Sequence, residues 1–172
     1  MGVIACIGGM IFQLITGSLY QWGIINIYVT SYFKTFEPDL TLEANAIAFP
    51  IMMFCMGLPM RLGIYLAEIS HPLFMLITCQ ILLSVSIFVS SLVTSMWVFI
   101  FFYGILFGLL VGSAFMIPVI ECNKYFPGKK NYVNGIILIG TGAGSVVFGM
   151  FSYTYLNPDQ LKPLAGYYFG AP

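Results

Sequence analysis

Polar side chains that could bind a small molecule are concentrated in the first long apolar run of the sequence. Gln13, Tyr20 and Gln21 recur there at helical spacing, and Asn26 follows. Amide and hydroxyl groups inside a membrane span cost free energy unless they meet a polar partner or face water. The pattern therefore predicts one of two arrangements: a water-filled substrate cavity, or hydrogen bonds to neighbouring helices. The candidates for lining such a cavity are Gln13, Tyr20, Gln21 and Asn26.

The sequence offers little that could perform catalysis or hold a metal ion. Its four cysteines, Cys6, Cys55, Cys79 and Cys122, lie far apart without a CxxC pair, and His71 is the only histidine. Cysteines in apolar runs are usually small packing residues. We therefore expect no catalytic residue, no metal site and no cofactor. Because no nucleophile is paired with a base inside a span, we also expect no enzymatic activity.

Glycines recur every four residues in two later apolar runs. Gly104, Gly108 and Gly112 share one helical face, as do Gly140 and Gly144. Such faces let two helix backbones approach closely in lipid, so they predict tight helix packing, with sliding or hinging as a further use. The GTGAG run that ends at Gly144 is similar to a phosphate-binding loop, but it follows no strand and is rejected as a nucleotide site.

Composition identifies the solvent of the protein as lipid. Of 172 residues, 60% are hydrophobic and 7% are charged, and the mean hydropathy is +0.97. A soluble domain carries about 25% charged residues, so these few charges exclude a soluble enzyme. A net charge of zero and a pI near 6.5 also exclude a basic surface for nucleic acid. The expected surroundings are a lipid bilayer.

Five apolar segments reach the length of about 20 residues that a membrane-spanning helix needs. They cover residues 3–33, 44–66, 72–92, 96–120 and 132–155. The apolar runs are continuous and do not alternate, which indicates helices and not barrel strands. We therefore expect an all-α membrane protein: one partial transmembrane domain over 1–172 with about five helices, ending in a loop or tail over 156–172. Pro50, Pro59 and Pro118 predict kinks.

The basic residues near the segment ends predict an orientation. An N-terminus in the cytoplasm would place four of them on that side, namely Arg61, Lys124, Lys129 and Lys130. The opposite side would then hold two, Lys34 and Lys162. Because Lys and Arg are enriched in cytoplasmic connections, we expect a multi-pass protein with a cytoplasmic N-terminus and the C-terminus on the opposite side.

Several short motifs together resemble the N-terminal half of a major facilitator superfamily transporter, and more narrowly its oxalate/formate-antiporter and monocarboxylate-transporter-like branch. They are GSLYQW at 17–22, YGILFG at 103–108, NKYFP at 123–127 and GTGAG at 140–144. In that branch an aromatic-Phe-Pro sequence with basic residues links helices four and five on the cytoplasmic side. The corresponding loop motif in this sequence would consist of Lys124, Phe126, Pro127, Lys129 and Lys130.

The second connection departs from the superfamily pattern. The family usually has a Gly followed by an Asp-Arg pair and further basic residues. Here Gly63 is followed by Ala67, Glu68, Ser70 and His71, so the charge relay of the family is absent or rebuilt. The resemblance also implies six helices in each half and twelve in all, of which this sequence supplies about five.

Two functions of different classes follow from these observations. The first is a fragment of a secondary transporter that moves small organic anions by alternating access and is inactive alone, because it lacks the C-terminal half that would hold the anion-binding cations. The second is a non-transporting structural or accessory subunit with a degenerate transporter fold. The expected partner is therefore either the missing half or another membrane subunit.

Overall fold

The computed structural model describes residues 2–156, which are helical apart from short connections and contain no β-strand. The α-helices are Gly2–Thr16, Trp22–Lys34, Leu42–Ala46, Ala48–Gly57, Met60–Ile69, Pro72–Ser91, Met96–Phe99, Phe107–Phe115, Ile117–Tyr125 and Lys130–Leu156. A 3-10 turn, Gly17–Gln21, and a π-helix, Ile100–Leu106, join two pairs of them. The tail expected over 156–172 lies, after Leu156, outside the described residues.

Four to five of these helical stretches are long and apolar enough to cross a membrane. Continuous candidates are Gly2–Lys34, Pro72–Ser91, Met96–Tyr125 and Lys130–Ser152. A further candidate consists of Leu42–Gly57 and Met60–Ile69, which are bent by 42° relative to each other. With this bent pair counted as the second, the stretches are called the first to fifth spans below. The prediction of an all-α membrane fold with about five spans is confirmed.

Prolines lie at the breaks within the second and fourth spans. Pro59 precedes Met60–Ile69 at the 42° bend, and because it has no N–H it cannot continue the hydrogen bonding of the preceding helix. Pro118 lies in the first turn of Ile117–Tyr125, where a missing N–H is tolerated. Pro50 likewise occupies the first turn of Ala48–Gly57.

The second and fourth spans pack backbone against backbone through glycine. A methyl group placed on Gly108 would lie 2.6 Å from the carbonyl oxygen of Met52, and one on Gly112 would overlap the carbonyl of Met56. Gly104, one turn earlier, has ordinary contact distance to the carbonyl of Ala48. Only a residue without a side chain allows this approach, which maximises van der Waals contact between helices in lipid.

The first and fifth spans pack in the same way. A methyl group on Gly140 would overlap the carbonyl of Met10, and one on Gly144 would overlap the carbonyl of Leu14. From the opposite side, Gly17 lies against the carbonyl of Thr141. Glycine on both helices therefore fixes this pair at close range.

The surface of the bundle is apolar, as expected of helices that face lipid. The third span illustrates this, since most of its large side chains are exposed and only four of its residues are buried. Its buried residues are Cys79, Leu83, Ser86 and Ser90. The hydroxyl of Ser86 donates a 2.8 Å hydrogen bond to the carbonyl of Phe102, which attaches this outer helix to the fourth span.

Candidate functional site

Gln13 forms a buried polar junction between three spans. The side chain has no exposed surface, and its Nε2 donates a 2.9 Å hydrogen bond to the main-chain carbonyl of Phe115 in the fourth span. Its Oε1 accepts a 3.2 Å hydrogen bond from the hydroxyl of Thr141 in the fifth span. One amide therefore ties the first span to both neighbours at a position that lipid and water do not reach.

The partner of Gln13 lies at a break in the fourth span. Helix Phe107–Phe115 ends there and Ile117–Tyr125 begins two residues later. A backbone carbonyl at such a break needs a donor from elsewhere, because hydrocarbon offers none. The amide of Gln13 supplies that donor to Phe115.

A second polar cluster joins the first span to the start of the second. Asn45 is fully buried, and its Nδ2 donates to Oδ1 of Asn26 at 2.9 Å and to Oγ1 of Thr30 at 2.9 Å. The hydroxyl of Thr30 in turn donates to the carbonyl of Asn26 at 2.8 Å. Asn26 is therefore part of a hydrogen-bonded contact between helices, and Asn45 was not singled out from the sequence.

The remaining two cavity candidates, Tyr20 and Gln21, lie in the 3-10 turn of the first span. Oε1 of Gln21 accepts a 2.8 Å hydrogen bond from the hydroxyl of Ser152 in the fifth span. Tyr20 has 45% of its surface exposed. The structure thus gives Gln13, Gln21 and Asn26 three separate sets of partners, and leaves Tyr20 as the candidate with the most exposed surface. Whether these side chains line a substrate path stays a prediction.

An aromatic cluster at the centre of the bundle was not predicted from the sequence. Phe99, Tyr103 and Phe107 follow one face of the fourth span, and neighbouring rings stack with centroids 5.1 and 5.3 Å apart. Trp22 packs against this row: its ring stacks on Phe99 with centroids 5.9 Å apart and lies tilted against Tyr103 at 5.2 Å. Its buried Nε1 has no hydrogen-bond partner. The spacing of four residues was a signal that could have indicated the row.

The π-helix Ile100–Leu106 carries part of this aromatic row. π-Helical turns are rare in proteins and often occur at functional sites. Here the turn places Tyr103 against Trp22 of the first span. The fourth span is therefore irregular at two places: the π-helix and the break at Phe115.

The loop motif forms a short turn between the fourth and fifth spans. Lys124 lies in the last turn of helix Ile117–Tyr125, Lys130 begins helix Lys130–Leu156, and between them the backbone N–H of Lys129 donates to the carbonyl of Phe126 at 3.0 Å. The ring of Phe126 packs against a small cluster that contains Val133. Lys124 pairs with Glu121. The other three motif residues, Pro127, Lys129 and Lys130, are exposed.

Several grooves open between the spans. One of about 620 Å³ separates the first, third and fourth spans and is lined by Gly8, His71, Gln80 and Glu121 among others. Oε1 of Gln80 is buried without a hydrogen-bond partner. Across residues 2–156, no group of three or more His, Cys, Asp or Glu side chains is placed to hold a metal ion.

Comparison with known proteins finds that this chain is similar to membrane transporters. No family model matches the chain, and no solved structure matches it. It is 24% identical over 206 aligned residues to apicoplast pyruvate carrier 1 of Toxoplasma gondii, an alignment that covers 99% of this chain and 38% of that protein. It is also 23% identical over 158 residues to the uncharacterized MFS-type transporter YhjX of Escherichia coli K12, covering 91% of this chain and 38% of that protein.

The chain spans 38% of the length of each of these two curated relatives. Both are named as a carrier or a transporter, and the described residues form four to five spans that fit a lipid bilayer. The similarity thus extends over nearly the whole bundle. These findings support one coarse statement: the chain is an integral membrane protein related to membrane transporters.

Proposed function

We propose that the chain forms part of a secondary transporter of the major facilitator type that moves small organic anions, of the monocarboxylate or oxalate/formate class, by alternating access. The observation that carries the proposal is the alignment with a pyruvate carrier, which covers 99% of this chain at 24% identity. The MFS-type name of the second relative supports the transporter family.

The packing of the spans supports a role as one moving lobe. The first span is joined to the fourth and fifth through Gln13, and the second span is pressed against the fourth at Gly108. Such contacts leave little freedom inside the bundle. In alternating access one lobe rocks against another around a site near the middle of the membrane, and a stiff bundle meets that requirement.

The distribution of charge supports the view that this lobe is inactive alone. An anion at membrane depth needs a cation or strong hydrogen-bond donors. Among residues 2–156, no Lys or Arg is buried, and Arg61 is exposed. In this proposal the cation would be supplied by the other half of the transporter. Tyr20 and Gln21 would contribute hydroxyl and amide groups from this side.

Orientation belongs to the same proposal. Lys124, Lys129 and Lys130 cluster at the turn between the fourth and fifth spans. We assign this turn and the N-terminus to the cytoplasmic side, because basic connections are retained there.

Purification from native membranes tests the proposal. An antibody against the loop around Lys129 would isolate the protein in mild detergent, and reconstitution into liposomes would allow uptake of labelled pyruvate, formate and oxalate to be measured. We expect the remaining spans, on the same polypeptide or on a related one, together with saturable uptake. A stoichiometric partner of unrelated sequence and no uptake would contradict the proposal and favour an accessory subunit.

A further inference from the structure

We propose that the turn between the fourth and fifth spans, together with the apolar groove beside it, binds an anionic phospholipid. This inference is independent of the transport proposal. The turn supplies a basic pocket for the phosphate, and the groove between the first and fifth spans supplies an apolar slot for an acyl chain. Lys129 and Tyr132 line both cavities, so the two parts of the site are continuous.

The groove has a volume of about 320 Å³ and lies between the starts of the first and fifth spans. The first span contributes Val3, Ile7 and Met10 at helical spacing, and the fifth contributes Val133. From Val3 to Met10 the helix rises by about 10 Å at 1.5 Å per residue. The groove ends at Met10, where a methyl group on Gly140 would overlap the Met10 carbonyl. Val3 and Ile7 are more than half exposed, so an acyl chain can enter this apolar slot from the bilayer.

The pocket at the turn carries two cations. It has a volume of about 440 Å³ and is lined by residues 127–132. Lys129 and Lys130 are both exposed, and across residues 2–156 neither has a carboxylate within ion-pair distance. Lys124 differs from them, because it is paired with Glu121. Two unpaired ammonium groups beside an apolar groove complement the phosphate of a lipid headgroup.

Tyr132 lies where the basic pocket meets the apolar groove. It is 71% exposed and belongs to the first turn of the fifth span. Tyrosine is enriched at membrane–water interfaces, because its ring is apolar and its hydroxyl is polar. A lipid bound here therefore places its phosphate beside the lysines and its acyl chain in the groove. Phosphatidylcholine fits the groove equally well, but its trimethylammonium group is repelled by the lysines, so we expect charge to set the preference.

Native mass spectrometry of the 172-residue chain in detergent measures this preference. The chain is titrated with phosphatidylglycerol and, separately, with phosphatidylcholine of the same acyl chains, and we expect tighter binding of phosphatidylglycerol. Lys129→Gln should weaken phosphatidylglycerol binding by about fivefold, the contribution of one lysine beside an anionic headgroup. Lys124→Gln is the matched control: it removes the same charge near the same turn, but that lysine already has a partner, so binding should change little.

Ile7→Trp tests the groove separately from the charge. The larger ring fills the slot and should weaken the binding of both lipids. Ile4→Trp is its control, because Ile4 is 71% exposed on the same helix and does not line the groove. Equal effects of the two tryptophan substitutions would contradict the assignment of the acyl chain to this groove.

Photolabelling tests the unmodified protein, so its result does not depend on whether a variant folds. Phosphatidylglycerol with a diazirine in its acyl chain should label residues 3–10 and 132–136, and unlabelled phosphatidylglycerol should compete better than phosphatidylcholine. Even labelling of all lipid-facing helices, including Pro72–Ser91, would overturn the inference, as would equal competition by the two lipids. Equal loss of affinity in Lys129→Gln and Lys124→Gln would also overturn it, since it would indicate diffuse attraction without a site.

Discussion

The side-chain amide of Gln13 donates a 2.9 Å hydrogen bond to the main-chain carbonyl of Phe115, 102 residues later in the chain. The carbonyl lies at the break of the fourth span, and the amide is completely buried. Hydrocarbon offers no hydrogen-bond partner, so an unpaired amide or carbonyl at this depth would destabilise the fold. The Gln13 amide and the Phe115 carbonyl each supply the partner that the other needs. The pair thereby fixes the first and fourth spans in register.

Replacing Gln13 with Leu should destabilise the bundle. Both the Phe115 carbonyl and the Thr141 hydroxyl lose their buried partner, which costs about 1–3 kcal/mol for each unsatisfied group. Unfolding in mixed detergent micelles, followed by circular dichroism, measures the change. Gln80→Leu is the control: Oε1 of Gln80 has no partner to lose, so its removal should leave stability unchanged or raise it. Equal losses in the two variants would contradict the role given to Gln13.

Leucine at the close glycine contacts should also destabilise the protein. Gly108 faces the carbonyl of Met52, and Gly144 faces that of Leu14. A side chain there forces two backbones apart, and overpacking typically costs about 1–3 kcal/mol. The melting temperature in detergent should fall for Gly108→Leu and for Gly144→Leu.

Gly142 provides the control for this experiment. It lies in the same helix as Gly144, and a methyl group there would meet nothing within 4 Å. Gly142→Leu should therefore leave the melting temperature unchanged or raise it, since Leu favours helix more than Gly does. If all three leucine variants behave alike, the close contacts do not hold the spans together.

The cluster of Asn45 with Asn26 should behave as one cooperative contact. Asn45→Ala removes hydrogen bonds to both Asn26 and Thr30. In a double-mutant cycle with Asn26→Ala, residues that share hydrogen bonds usually show a coupling of about 0.5–3 kcal/mol. Free energies of unfolding for the four proteins of the cycle give this coupling. Additive effects of the two substitutions would show that the bond contributes nothing.

The assigned orientation predicts which side of the membrane each connection occupies. In a variant with its native cysteines replaced by serine, a new cysteine at Lys129 should react with a membrane-impermeant maleimide only after permeabilisation of bacterial spheroplasts. A new cysteine at Asp39, in the first connection, should react without it. The reverse labelling pattern would show that the protein has the opposite orientation, and it would refute the charge argument.

The sequence predicts the spans well because their signal is local. Continuous apolar runs of about 20 residues indicate membrane helices whatever the tertiary structure, and the spacing of Gly104, Gly108 and Gly112 indicates a helix face open to close contact. Neither signal identifies which helix each face packs against. The packing of Gly140 and Gly144 against the first span depends on how five helices are arranged, which no single run of residues encodes.

The candidate site was harder to predict because its groups come from distant segments. The polar residues of the first span suggested either a cavity or bonds between helices, and the sequence could not separate the two. The bond from Gln13 to Phe115 requires the helix break near Pro118, and that from Asn45 to Asn26 requires the second span to start beside the first. The π-helix at Ile100–Leu106 has no simple sequence signal.

Counterflow in proteoliposomes tests the transport proposal most directly. Vesicles loaded with unlabelled pyruvate are diluted into labelled pyruvate, and accumulation of label is followed for two preparations: the complete protein isolated from native membranes, and the 172-residue chain alone. The proposal predicts saturable accumulation with the first preparation and none above empty vesicles with the second. Accumulation by the 172-residue chain alone, or its absence with the complete protein, would contradict the assignment of this bundle as one lobe of an organic-anion carrier.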